Sequence, residues 1–166
     1  MKRFPLAQTV ILITLLAASS AMAIDFQLNG VVDVYGDVAI SETAQMDFGV
    51  VLDRDGTVTL NLSDAIVDGG NDVAAGGTPH SGGYQISGET GSIVDITLVS
   101  SSGGTGLAMT NFTVDAGSGA TTFPTTATLS GGNANMVVGA DLTVTAASAA
   151  PGANQALTFT IGVTYL

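Results

Sequence analysis

The chain contains a single histidine, so His80 bounds the acid-base chemistry open to it. A Ser-His-Asp triad or an imidazole-bearing zinc site would each have to be built on that one ring. His80 sits in Thr78-Pro79-His80-Ser81-Gly82, which has neither a nucleophile elbow nor a His-x-x-x-His spacing and reads as a solvent-facing loop. Paired carboxylates could serve glycoside hydrolysis, and Asp53/Asp55 and Asp68/Asp72 are the nearest pairs. Both lie in turn sequences, where Asp is favoured because it accepts backbone N–H groups. Asp53-x-Asp55-Gly56 echoes part of a calcium loop, and Gly69-Gly70-Asn71-Asp72 echoes half of a calcium-binding β-roll repeat. No glutamate closes the first and the second does not recur, so turn chemistry is the better account of both. Cysteine is absent, which removes thiolate catalysis, thiolate metal sites and disulfides. No glycine-rich phosphate loop opens a helix, and the lack of tryptophan weakens any sugar-stacking platform. The residues therefore point away from an enzyme and assign no catalytic residue, metal or cofactor.

The ends of the chain carry stronger signals. Lys2 and Arg3, the apolar run Val10 to Ala18 and the small-x-small site Ala21-Met22-Ala23 read as a signal peptide over residues 1–23, cleaved before Ile24. The apolar run is shorter than the roughly 20 residues a spanning helix needs, and later apolar runs are broken by Thr, Asn, Asp and Gly. No membrane span is therefore expected in the mature chain. Loss of the leader would leave Arg54 as the one basic residue against 14 acidic ones. That balance opposes phosphate backbones and anionic lipid, and excludes nucleic acid as a partner.

The residues that remain are organised by two alternating stretches. Leu157, Phe159, Ile161, Val163 and Tyr165 alternate with Thr158, Thr160, Gly162 and Thr164, which puts five large apolar groups on one face of a terminal strand. Each is worth on the order of 1.5 to 3 kcal/mol when buried, so the strand must lie in a core or against a partner. Val32, Val34, Gly36, Val38 and Ile40 alternate in the same way with Asp33, Tyr35, Asp37 and Ala39, with a glycine at the centre of the apolar face. Alternation reports burial, not whose core is entered, so this second strand could pair within its own domain or with a neighbour.

Between them the pattern is of short strands and turns. Met46, Phe48 and Val50 precede Asp53-Arg54-Asp55-Gly56, and Val58, Leu60 and Leu62 follow it, which predicts a hairpin about the Asp-Gly turn. Asp64 to Gly83 reads as a long loop with at most one short strand. Further strands are expected over Tyr84 to Gly88, Ser92 to Val99, Leu107 to Val114, Thr125 to Leu129, and Asn135 to Ala146 with a kink at Gly139-Ala140. Pro151 to Asn154 forms the last turn. No window has apolar residues at helical spacing. Residues 24–166 are expected to form a single all-β domain, an antiparallel two-sheet Ig-like sandwich.

The chain resembles a bacterial exported family catalogued as a domain of unknown function, number four-four-zero-two. The resemblance rests on Met46-Asp47-Phe48-Gly49, Gly56-Thr57-Val58-Thr59-Leu60, Tyr84-Gln85-Ile86-Ser87-Gly88, Val137 to Val144, Pro151-Gly152 and the closing Thr-Ile-Gly-Val-Thr-Tyr. It implies a pilin-like β-sandwich and export, but no reaction. The chain is more loosely similar to subunits of chaperone-usher pili, which end in an alternating strand with a penultimate tyrosine, as Tyr165 is here. They begin with an alternating extension carrying a central glycine, as Val32 to Ile40 does. That similarity implies that residues 24–40 complete the sheet of the next subunit, giving head-to-tail filaments, with a periplasmic chaperone and an outer-membrane usher as partners. The cysteine pair common in such subunits is missing. The expectation is an extracellular, cell-surface filament subunit built as a homopolymer. The alternative is a secreted monomeric adhesin or glycan-binding module using the loop Asp64 to Gly83.

Overall fold

The computed structural model describes residues 32, 34–69, 72–146 and 155–166. The expected leader, the lead-in at 24–30 and the last turn at 151–154 lie outside the described residues, as do Val31 and Asp33 of the alternating stretch. The strands run in order β1 Ala39–Ala44, β2 Val50–Val51, β3 Gly56–Leu60, β4 Ile66–Asp68, β5 Ala74–Gly76, β6 Gly82–Ser87, β7 Ile93–Ser102, β8 Leu107–Asp115, β9 Thr121–Thr122, β10 Thr125–Thr128, β11 Asn133–Val144 and β12 Thr158–Tyr165. Among the described residues there is no helix, and every strand pairing is antiparallel. The fold is an all-β sandwich, as its period-2 patterning requires.

The larger sheet is organised by β11, whose even-numbered residues from Met136 on, Met136, Val138, Ala140, Leu142 and Val144, are all buried. One edge of β11 carries β8 from Val137 to Val144. The other edge is shared: β6 pairs with residues 133–138, and β3 takes over at 140–144. The sheet therefore forks at Gly139, with β1 outside β6 on one branch and β4 outside β3 on the other. A Cβ on Gly139 would run into the carbonyl oxygen of Leu60, where β3 leaves the sheet. Across the outer face, Asp141 accepts the Thr59 hydroxyl and the Asn111 amide, joining β3, β11 and β8.

The smaller sheet has the order β10, β7, β12. Val94 and Ile96 of β7 and Ala127 of β10 face the buried side chains of β3, β6, β8 and β11 across a single core. Phe159, Ile161, Val163 and Tyr165 point into that core from β12, as their alternation predicts, while Leu157 packs just before the strand begins.

Three expectations are corrected. The Asp-Gly hairpin does not form: β2 pairs with β5, and β3 pairs with β4 and β11. A two-residue hairpin of the favoured type needs positive φ at its central residues, and Gly56 is not among the positive-φ glycines. It already pairs with Val144, and the Asp55 carboxylate accepts the N–H of Ala146. The presumed loop Asp64 to Gly83 contains both β4 and β5, joined where Asp68 accepts the Ala74 N–H. The strand expected from Val32 to Ile40 is strand only at Ala39 and Ile40; Val34, Tyr35, Gly36, Asp37 and Val38 precede β1, which continues to Ala44.

Candidate functional site: a groove between two sheet edges

The residues first in line for chemistry do meet. Oδ1 of Asp64 accepts both the Ser81 hydroxyl at 2.6 Å and the Ser81 N–H at 2.7 Å, and His80 Nδ1 lies 3.5 Å from the same oxygen. In a triad the imidazole stands between serine and carboxylate; here the carboxylate is in the middle and the serine proton already has its acceptor. The two Ser81 bonds hold the Asp64 carboxyl below the ordinary carboxylate range, with a smaller push from His80. The cluster ties the turn after β3 to the start of β6, where the two branches of the fork diverge. Asp64→Ala should therefore lower the melting temperature measurably, because it strands the buried Ser81, whereas His80→Ala should leave it nearly unchanged. Equal effects from the two substitutions would contradict a purely bridging role for Asp64.

The carboxylate pairs proposed for sugar or calcium chemistry also cap backbone groups, Asp55 on Ala146 and Asp68 on Ala74. Among the described residues no three histidines or carboxylates gather in a way that could hold a metal ion.

The feature that stands out lies between the sheets. β12 pairs with β7 alone, and β1 pairs with β6 alone, so among the described residues each presents a free backbone edge on the same side of the sandwich. Ile40 and Glu42 stand opposite Ile86 and Tyr84 in β6, which places them on the inward face of the larger sheet. Yet Ile40 is 38% exposed and Glu42 is exposed, because no strand beside β12 covers them. The result is an open groove of about 460 Å³ lined by Ile40, Glu42, Met46 and Tyr84 on one side and Phe159 and Ile161 on the other.

Beyond the groove, at the C-terminal end of β12, the Tyr165 hydroxyl accepts the Glu89 N–H at 2.8 Å, and Leu166 N–H donates to the Ile93 carbonyl. The phenol reaches that position only because Gly88 has no side chain; a Cβ there would collide with the Tyr165 hydroxyl. Within the groove, Phe159 packs edge-on against Tyr84, with ring centroids 5.9 Å apart, and at a tilt against Phe112, 5.3 Å away. Burial, with the nearby Glu42 carboxylate adding to it, pushes the Tyr84 phenol up to about 12. A raised folded-state pKa stabilises fully below the unfolded value near 10, and that contribution is lost as pH rises through 12. The half-exposed ring makes the effect smaller than the full shift implies. The melting temperature should fall between pH 10 and 12 more steeply in the native chain than in Tyr84→Phe.

The residues of the assembly strand divide. Ile40 lies in β1 and lines the groove, Val38 packs against the core, and Gly36 has nothing within 4 Å of a built Cβ. Val34 and Val32 are 84% and 83% exposed. Tyr84 and Glu42 were not singled out by the sequence; the available signal was that Glu42 shares the parity of Ile40.

No curated protein and no solved structure matches the chain. A family model matches residues 38–165, which begins one residue before β1 and ends with β12. The chain thus belongs to the family described as domain of unknown function (DUF4402), and its β-sandwich is that domain.

Proposed function

We propose that this protein is a structural subunit of an extracellular pilus-like filament, in which a neighbour adds a β-strand along the free edge of β12. The observation that carries the reading is the uncovered inward face of β1: Ile40 and Glu42 stay exposed beside the edge of β12 that no described strand pairs. A strand laid beside β12 would satisfy its outer N–H and C=O groups and cover Ile40, Tyr84 and Phe159, which is recognition by strand addition. Head-to-tail use of one edge and one extension generates an open filament and no closed ring. A periplasmic chaperone that lends a strand to the same edge, and an outer-membrane usher, are the partners this reading calls for. It assigns no catalysis.

The test compares the exported native chain with one lacking residues 24–36, which leaves β1 intact, by size exclusion and negative-stain microscopy. Heat-resistant filaments from the native chain, absent from the truncated one, are the expected result. A native chain that remains a stable monomer under all conditions would refute the filament and favour a secreted binding module.

A further inference from the structure

We propose that Tyr35 and Tyr165 form an oxidative cross-linking site, at which a peroxidase-class one-electron oxidant using hydrogen peroxide joins the two rings as a dityrosine. The site goes beyond strand addition and does not depend on it. The chain has three tyrosines, and the fold sets two of them against each other: the ring centroids of Tyr35 and Tyr165 lie 5.5 Å apart, edge to face at 62°. The third, Tyr84, has a phenylalanine as its ring neighbour, Phe159. Tyr35 and Tyr165 stand near opposite ends of the sequence, so their contact is a product of folding and not of local chain geometry.

Each partner has the property its part requires. Tyr35 is 53% exposed and precedes β1, so it is open to an oxidant and its ring is free to turn. Tyr165 is half-buried and held, its hydroxyl accepting the Glu89 N–H and its ring packing on the core. The chain has neither tryptophan nor cysteine, the side chains that would draw the oxidation elsewhere. Burial pushes the Tyr84 phenol up to about 12, so it offers little of the phenolate, the form that gives up an electron most easily.

Each phenol loses one electron and one proton, giving two tyrosyl radicals. A bond forms between ring carbons ortho to the two oxygens, and the hydrogens on those carbons move to the oxygens, restoring both phenols. Two hydrogens leave the protein, and hydrogen peroxide is reduced to two waters. The product ties the segment leading into β1 to the last strand, a covalent closure that a chain without cysteine cannot make as a disulfide. The closed loop is long, so the link restricts the unfolded chain far more than the folded one.

The test treats the full chain, kept dilute as a monomer, with a haem peroxidase and hydrogen peroxide, and reads intact mass and dityrosine fluorescence. After reduction of any methionine sulfoxide, cleavage at Met46, Met109 and Met136 puts the three tyrosines on separate fragments and locates the link. The expected product is a monomer lighter by two hydrogens, with the fragments of Tyr35 and Tyr165 joined; methionine oxidation is told apart because it adds oxygen. Tyr84→Phe should cross-link as the native chain does. Tyr35→Phe, an exposed change that keeps the ring, should melt like the native chain and lose the product to background. Dityrosine that persists in Tyr35→Phe, a link through Tyr84, or covalent dimers in place of the internal link would each overturn the proposal. So would the absence of product under conditions that couple free tyrosine.

Discussion

Gly139→Ala is expected to cost about 3 kcal/mol, near the upper end for overpacking, because the obstacle is backbone and not a side chain that can rotate away. The added Cβ meets the carbonyl of Leu60, the last residue of β3, at the point where β6 ends its pairing and β3 begins. Relief would require β3 to move off β11, and β3 carries Val58 and Leu60, both essentially unexposed. For a domain of this size the melting temperature should drop by roughly 10 °C. Gly36→Ala supplies the control: its Cβ would meet nothing within 4 Å, and the change should stay within about 0.5 kcal/mol. Similar melting temperatures for the two variants would mean that the fork tolerates a wider separation of β3 and β11 than its geometry implies.

That contrast also marks what the sequence could disclose. The terminal strand was readable because its alternation is unbroken: Phe159, Ile161, Val163 and Tyr165 keep one parity, and all four turn inward. In β8 the buried residues are Met109, Phe112 and Val114, a spacing that breaks the period. The register shifts there because Asn111 and Phe112 together oppose Ala140, with Asn111 in the left-handed region at φ 47°. A bulge hides a strand from any period-2 reading. β7 shows the same effect, with Val94, Ile96 and Leu98 facing the core before the register shifts next to Val99. Gly139 was visible as a kink, but its cause is a carbonyl that is distant in sequence.

The groove was half visible. Its β12 wall follows from alternation alone, but its β1 wall did not, because Ser41 to Gln45 has a weak apolar pattern and Glu42 faces inward. A charged residue on the inward side of an edge strand is one way proteins discourage indiscriminate edge pairing. The sequence reading placed the apolar strand several residues too early for the same reason: Ile40 closes one alternation and opens another, and only the pairing with β6 separates them.

Phe159 carries the second large effect. Its ring lines the groove and packs against both Tyr84 and Phe112. Phe159→Ala would leave a void beside Tyr84 and Phe112, losing the transfer energy of the ring and both ring contacts. Full burial would make the cost 3 to 5 kcal/mol; partial exposure of Phe159 brings the expectation in the isolated domain to about 3. Phe159→Leu, which keeps most of the volume, should lose about 1.5 kcal/mol. Urea unfolding checks both: the midpoint should move in that order while the slope stays constant, since the surface exposed on unfolding hardly changes. A strand seated beside β12 would cover the exposed part of the ring. On the proposed strand addition, the alanine variant should therefore be more damaging to an assembled filament than to the monomer, and that filament should dissociate at a denaturant concentration lowered by more than the monomer's midpoint. Equal shifts in the two would place Phe159 outside the surface that assembly covers.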